Sequence, residues 1–235
     1  MKVWYTKSGY TVSCIITGRS NVFLVTGNGK EILIDTSPAY KWKKLKKSLD
    51  NLRIKKIDYL ILTHTHFDHA ANASKIKSLY GATVIVNKLE AEYLIKGENT
   101  MVDGTVFITR FLTKKLGPVI LVKLNYNPCQ PDILVDEQFN LKEFGINGYI
   151  LPTPGHSPGS QSVIIDDEIA ITGDAMFGVI PGSVFPPYAE NVDEMIMSWG
   201  KLLKTNCYLF LPSHGTPNSR KLVQKNFDKR KGSLS

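Results

Sequence analysis

Seven consecutive residues, Thr63-His64-Thr65-His66-Phe67-Asp68-His69, hold three of the five histidines in this chain of 235 residues. The other two stand in turn-like settings: His156 in Thr153-Pro154-Gly155-His156-Ser157 and His214 in Pro212-Ser213-His214-Gly215. Neutral imidazole is the commonest metal ligand among side chains, and carboxylates join it readily. A solvated polar loop is the plain reading of one isolated histidine. For H-x-H-x-D-H followed by two more histidines beside glycines, a metal cluster is favoured. Asp68, and Asp174 of the Gly173-Asp174 pair, bring the donors to seven. A catalytic zinc takes three protein ligands and keeps one position for water. Seven donors therefore suit two ions that share a carboxylate. No cysteine lies near these motifs, which argues against a structural zinc knuckle. Nitrogen and oxygen ligands favour zinc, with iron or manganese as alternatives. Two such ions bring the pKa of a shared water to about 7 and aim the hydroxide at an electrophile. No serine or cysteine nucleophile is then required. Ser157, Ser160 and Ser213 read as turn residues behind the ligands.

The elements around these residues alternate in type. Thr11 to Ile16, Val22 to Val25 and Glu31 to Asp35 are β-rich, with a tight turn at Gly27-Asn28-Gly29-Lys30. A helix over Ala39 to Leu52 precedes a buried strand, Tyr59 to Thr63, that ends at the histidine cluster. Ala70 to Tyr80 reads as a helix stopped by Gly81, and Thr83 to Val86 as another strand. If His64, His66 and Asp68 lie on an extended segment, period two turns all three to one side. Leu89 to Lys96 and Thr105 to Leu116 read as helical and Val119 to Leu124 as a short apolar run. The stretch at about 97–138 is an insertion, either a lid over the site or ordinary packing. Gly148 to Leu151, Gln161 to Ile165, Glu168 to Thr172 and Tyr208 to Leu211 are strands, with a turn at Asp166-Asp167. Asn191 caps a helix with Glu194 as its capping-box partner, and Met195, Ile196, Trp199, Leu202 and Leu203 form its core stripe. Thr216-Pro217 looks like a helix start. The order predicts an α/β architecture. Every candidate ligand follows a strand, so the set converges if those strands run in a common direction.

The chain is 43% hydrophobic and 21% charged, which suits one globular domain over 1–235. It has no apolar run long enough to span a bilayer. Met1 to Tyr10 lacks the apolar region of a secretory signal. Cys14, Cys129 and Cys207 are too widely spaced for a disulfide framework or a C-x-x-C site. A cytoplasmic protein with no membrane partner is expected. The net charge of +8 invites a nucleic-acid reading. Much of it, however, lies at Lys41, Lys43, Lys44, Lys46, Lys47, Arg53, Lys55 and Lys56, among Trp42, Leu45, Leu49 and Leu52 at helical spacing. The wet face of an amphipathic helix is the simpler reading, so nucleic acid is not favoured and a small-molecule substrate is.

In the order of its motifs the chain resembles the metallo-β-lactamase superfamily over nearly its whole length. The features are Ile34-Asp35-Thr36 after a strand-rich start, H-x-H-x-D-H, P-G-H-S-P-G-S, and the late G-D and S-H-G. The resemblance implies a four-layer αββα sandwich with two zinc ions among the loops. It implies that His64, His66 and His156 bind one metal and that Asp68, His69 and His214 bind the other. Asp174 would bridge them, and Asp68 would also act catalytically by orienting the hydroxide. Departures narrow the subfamily. Class B β-lactamases lack a bridging aspartate at the position of Asp174. Flavodiiron oxidoreductases have glutamate where His66 stands. Quorum-quenching lactonases place a catalytic tyrosine where this chain has Phe177. Gly173-Asp174-Ala175-Met176-Phe177 looks closer to the glyoxalase II group, which hydrolyses thioesters. The stretch after His214 is too short for that group's glutathione-binding helical domain.

The leading expectation is a binuclear zinc hydrolase in which a shared hydroxide attacks an ester-like bond, thioester or lactone first. The alternatives are a phosphodiesterase or nuclease of the same fold, a mononuclear iron enzyme like the persulfide dioxygenases, and a metal-stabilised binding module. Phe177 and Tyr188 are the candidates for substrate contact, and Tyr188 is also the candidate general acid.

Overall fold

The computed structural model describes residues 1–18, 20–99, 104–105 and 124–233. Among these, two sheets lie face to face. The first runs in the order β1 (Lys2–Tyr5), β2 (Thr11–Ile16), β3 (Val22–Gly27), β4 (Lys30–Ile34), β5 (Tyr59–Ile61), β6 (Thr83–Asn87) and β7 (Ile133–Val135). Its first four strands are antiparallel neighbours, and β4 to β7 pair in parallel. The second comprises β8 (Phe139–Asn140), β9 (Gly148–Pro152), β10 (Gln161–Ile165), β11 (Ile169–Gly173), β12 (Leu209–Pro212) and β13 (Asn218–Ser219), in spatial order 13-12-11-10-9-8.

Strand alternation sorts the apolar residues into three cores. Ile32, Ile34, Ile61, Ile85, Val163, Ile165, Ile169, Ile171 and Leu211 meet between the sheets. Leu33, Leu60, Val84 and Val86 face outward from the first sheet onto α1 (Trp42–Asn51), α3 (Ala73–Tyr80) and α4 (Ala91–Lys96), through Leu45, Leu49, Ile76 and Leu94. Ile164, Ala170 and Phe210 face outward from the second sheet onto α5 (Val192–Leu203) and α6 (Arg220–Arg230), through Met195, Trp199 and Val223. Strands covered on both faces read as unbroken apolar runs. The layers are thus α, β, β, α, the sandwich that the sequence suggests.

Local signals act as expected in several places. Asn28 and Gly29 both have positive φ, 51° and 69°, as do Asp166 and Asp167 at 58° and 53°. These are the paired left-handed residues of tight hairpin turns. Asn191 caps α5, its Oδ1 accepting from Glu194 N–H at 3.1 Å. Leu45 and Leu49 are buried while Lys43, Lys44, Lys46 and Lys47 are exposed, so α1 is amphipathic.

Other boundaries shift. The strand at Tyr59 ends at Ile61, not Thr63, and the helix expected from Ala70 begins at Ala73. A separate helical turn, α2 (Phe67–Ala70), precedes it. Asp68 is therefore on a helix and not on the extended segment that carries His64 and His66. The last helix begins at Arg220 and not at Thr216-Pro217, because Asn218 and Ser219 pair with Phe210 and Leu209. Ser219 Oγ then caps it, accepting from Leu222 N–H at 3.3 Å. The helix and apolar run expected within 105–124 lie almost wholly outside the described residues, as does most of the proposed insertion. No described helix is long and apolar enough to cross a membrane.

Candidate metal centre

Strands β9 and β11 each pair antiparallel with β10, and β12 runs parallel to β11, so all three point one way. His156, Asp174 and His214 follow their respective C-terminal ends. In the other sheet β5 runs parallel to β4 and β6, and the His64–His69 loop follows it. Both sets meet at one edge of the sandwich. Gly173 makes the approach close. Its φ is +54°, and a Cβ there would lie 2.7 Å from both Cβ and Oγ1 of Thr63. Gln161 ties the sheets at the same level, giving its backbone N–H to Thr63 O at 2.9 Å and its side-chain amide to Leu62 O at 2.8 Å.

All seven expected ligands come together. His64, His66 and His156 form one group whose donor atoms lie within 4.8 Å of one another. Asp68, His69 and His214 form a second, and His64, His69 and Asp174 a third that links them. His156 Nε2 is 3.1 Å from His66 Nδ1. His69 Nε2 is 3.8 Å from Asp68 Oδ1, and His214 Nε2 is 3.6 Å from Asp68 Oδ2. Asp174 Oδ2 lies 3.6 Å from His156 Nε2 of the first group and 3.2 Å from His214 Nε2 of the second. Its Oδ1 lies 3.6 Å from His69 Nε2. Two ligands bound at about 2.0–2.1 Å to one tetrahedral zinc sit about 3.3 Å apart, so these spacings are those of ligands sharing cations.

The orphaned atoms make the same point. His64 Nε2, His69 Nε2 and Asp174 Oδ1 are buried and have no hydrogen-bond partner. Buried polar groups are otherwise almost always satisfied. Three such atoms, all aimed into one cluster of nitrogen and oxygen donors, fit divalent cations.

The protonation pattern follows from burial and charge. Burial, with the neighbouring histidines, holds His64 well below the ordinary imidazole range and His66 at about 3. Burial also brings His156 to about 4, against the pull of Asp174. These three are neutral at pH 7, the state a metal ligand needs. Burial acts on His69 too, but Asp174, Asp35 and Asp68 outweigh it and raise His69 well above the usual value. Burial alone would raise Asp174; His214 and His69 overcome it and hold the carboxyl well below its ordinary range.

Two carboxylates that do not enter the cluster hold it in place. Asp35, 1% exposed and with φ of +61°, accepts from His69 Nδ1 at 2.8 Å, Ser213 Oγ at 3.1 Å and Thr63 N–H at 2.9 Å. With Nδ1 donating to Asp35, Nε2 of His69 faces Asp68 and Asp174, and it is the nitrogen that a cation would take in place of its proton. Glu90, also 1% exposed, accepts from Thr65 N–H at 3.0 Å, Ser157 Oγ at 2.6 Å and Gly159 N–H at 3.3 Å. It thereby joins the loop of His64 and His66 to the loop of His156. Neither carboxylate was picked out as a site residue in the sequence. The available signal for Asp35 is an acid directly after the apolar run Ile32-Leu33-Ile34; Glu90, between Lys88-Leu89 and Ala91-Glu92, carries none. Ser157, Ser160 and Ser213 are buried, and Ser157 and Ser213 donate to these two carboxylates.

The two substrate-contact candidates lie beside the cluster in different ways. The Phe177 ring stacks on His214, with centroids 4.5 Å apart and planes at 26°. Tyr188 reaches the cluster through its backbone: its carbonyl accepts from His156 Nδ1 at 3.0 Å. The expected insertion touches the site where it is described. Thr105 donates from Oγ1 to Pro186 O at 2.7 Å, and Gly104 bridges to Tyr188. Tyr126 OH donates to Thr65 O at 2.6 Å, and Asn99 Oδ1 accepts from Phe67 N–H at 2.8 Å.

Two mixed sheets between helical layers, with a histidine–aspartate cluster at the strand ends, define an αββα fold with a candidate metal centre. The family model of the metallo-beta-lactamase superfamily matches residues 15–214. The chain belongs to that superfamily and is a metal-dependent hydrolase. It is 32% identical over 158 residues to a probable metallo-hydrolase of Methanocaldococcus jannaschii, covering 67% of this chain and 68% of that one. It is 22% identical over 215 residues to the atrochrysone carboxyl ACP thioesterase of Aspergillus fumigatus, covering 90% of this chain and 56% of that enzyme's length. Among solved structures, an archaeal metallo-beta-lactamase superfamily protein from Sulfolobus tokodaii superposes with a TM-score of 0.64 at 22% identity. That match covers 90% of this chain and 80% of the other, and it speaks for the fold.

Proposed function

We propose that the protein is a cytoplasmic binuclear zinc hydrolase that cleaves an ester-like bond in a small molecule, thioester or lactone first. The observation that carries this is Asp174, whose Oδ2 lies between His156 of one ligand group and His214 of the other. His64, His66 and His156 would hold one cation and Asp68, His69 and His214 the other, with Asp174 shared between them. When bound, the pair of cations lowers the pKa of a shared water and polarises the oxygen under attack. Asp68, a member of the second group, would also serve as the acceptor that orients that water. The Asp35 carboxylate and the Tyr188 carbonyl engage Nδ1 of His69 and of His156, so that Nε2 of each would be the nitrogen offered to a cation. Phe177 has no proton to give, so it serves as an apolar wall beside His214.

The thioester arm draws support from two directions. Gly173-Asp174-Ala175-Met176-Phe177 resembles the glyoxalase II motif, and one relative carries the name of a thioesterase. The phosphodiester arm rests on the exposed lysines of α1. Steady-state assays on a thioester, a lactone and a phosphodiester reporter separate them. Turnover of the phosphodiester alone, falling steeply with salt, would overturn the ester reading. Metal analysis accompanies the assays, with two zincs per chain expected; one iron per chain would point to redox chemistry. The His66→Ala protein is expected to be folded, metal-poor and inactive.

A further inference from the structure

Beside the metal centre, but with none of its ligands in the lining, a cavity of about 330 Å³ opens between the two sheets at the flank of the sandwich. Trp4 of β1 and Phe23 of β3 form one wall, their ring centroids 6.5 Å apart and tilted by 49°. Leu211 of β12 and Pro217 face them from the second sheet. The volume lies at the lower end of small-molecule sites and equals that of about eleven water molecules. Walls this apolar offer water few partners, and they would strip a bare inorganic ion of its hydration without replacing it.

The charge at this cavity has one sign. Lys2 is the charged residue of the lining, and it has no carboxylate partner among the described residues. Lys41 reinforces it from outside, its ammonium donating to Thr17 O at 3.2 Å beside Gly18, both residues of the lining. Among the described residues, no aspartate or glutamate lines the cavity.

We infer that this cavity is a second ligand site, for a small amphipathic anion: a monocarboxylate whose short apolar body lies against Trp4 and Phe23 and whose head meets Lys2. The site adjoins the metal centre without containing any of its ligands. Asn21, in the cavity wall, donates its side-chain amide to Pro212 O at 3.0 Å and Gly215 O at 3.1 Å, the two carbonyls that bracket Ser213-His214. This inference stands whether or not the substrate is an ester, because it rests on the lining alone.

Sodium octanoate titrated into the metal-loaded protein tests it, read by calorimetry and by tryptophan fluorescence. Saturable binding is expected, weakened at least tenfold in Lys2→Glu, an exposed substitution that leaves turnover of the enzyme's substrate unchanged. Octylamine, with the same chain and the opposite charge, is expected not to compete. The fluorescence response should vanish in Trp4→Phe while calorimetric binding persists. Equal affinity in wild type and Lys2→Glu would overturn the proposal and place the carboxylate elsewhere, for example at the metals. A fluorescence response that survives Trp4→Phe, or no binding at all, would overturn it as well.

Discussion

Replacing Asp35 by asparagine separates the charge behind His69 from everything else the residue does. Asparagine tolerates the left-handed backbone of position 35 almost as well as aspartate, so the φ of +61° adds little strain. The side chain is the difference. The carboxylate accepts from His69 Nδ1, Ser213 Oγ, Thr63 N–H and Thr63 Oγ1, the last at 2.9 Å. An amide has one oxygen, so its NH₂ must face donors whichever way it turns. Placed toward Oδ2, it meets His69 and drives the ring to the other tautomer, with the proton on Nε2 where the cation binds. Placed toward Oδ1, it leaves Thr63 N–H without an acceptor and gives His69 a neutral partner. A hydrogen bond to a charged group is worth about 1.5–3 kcal/mol and a neutral one about 0.5–1.5 kcal/mol, and an unsatisfied buried donor costs about 1–3 kcal/mol. The expected loss is thus about 2 kcal/mol or more. It should appear as a drop of roughly 10–100-fold in affinity at the group of Asp68, His69 and His214. Competition for zinc with a chelating dye measures both sites. A second-site affinity within threefold of wild type would refute the reasoning, because the tautomer of His69 would then not depend on Asp35.

Two more outcomes follow. Glu90→Gln puts an NH₂ among the donors of Thr65, Ser157 and Gly159; thermal melts should show a loss of about 1–3 kcal/mol, and kcat should fall more than KM rises as both ligand loops loosen. Stability of the metal-free protein should fall with acid. His66 and His156 have folded pKa values of about 3 and about 4, below the 6.5 of the unfolded chain, so the unfolded state binds more protons as pH drops from 6.5 toward those values. His69, raised in the fold, acts in the opposite sense: its contribution is complete below 6.5 and is lost as pH climbs through its folded value. Between pH 7 and pH 5 the two depressed histidines each cost at most about 2 kcal/mol, a fall in Tm of about 5–15 °C. An unchanged Tm over that interval would contradict the burial of neutral imidazoles.

Much of this arrangement was legible in the sequence because its chemistry is carried by rare residue types. Histidines crowded into seven positions, and others beside glycine at strand ends, have few competing explanations. The α/β alternation was legible for a different reason. Strands such as β6 and β10 bury both faces, so each centres on an unbroken apolar run, Val84-Ile85-Val86 and Val163-Ile164-Ile165. The sandwich itself came from the family resemblance. Legibility fails where a residue's role depends on what the fold brings to it. Asp35 and Glu90 are ordinary acids until four or more donors converge on each of them from distant loops. The edge strand β1, with both end residues exposed, carries too little apolar pattern to stand out. The helical turn α2 is filled by Phe67, Asp68 and His69, whose types answer to the site and not to helix periodicity. Pro217 looks like a helix start, but the next two residues extend the sheet first.

Anomalous diffraction from crystals grown with zinc tests the central claim most directly. Two peaks per chain are predicted, about 3.5–4 Å apart, one among His64, His66 and His156 and one among Asp68, His69 and His214, with the Asp174 carboxylate between them. A single peak, or two peaks of which neither touches Asp174, would contradict it.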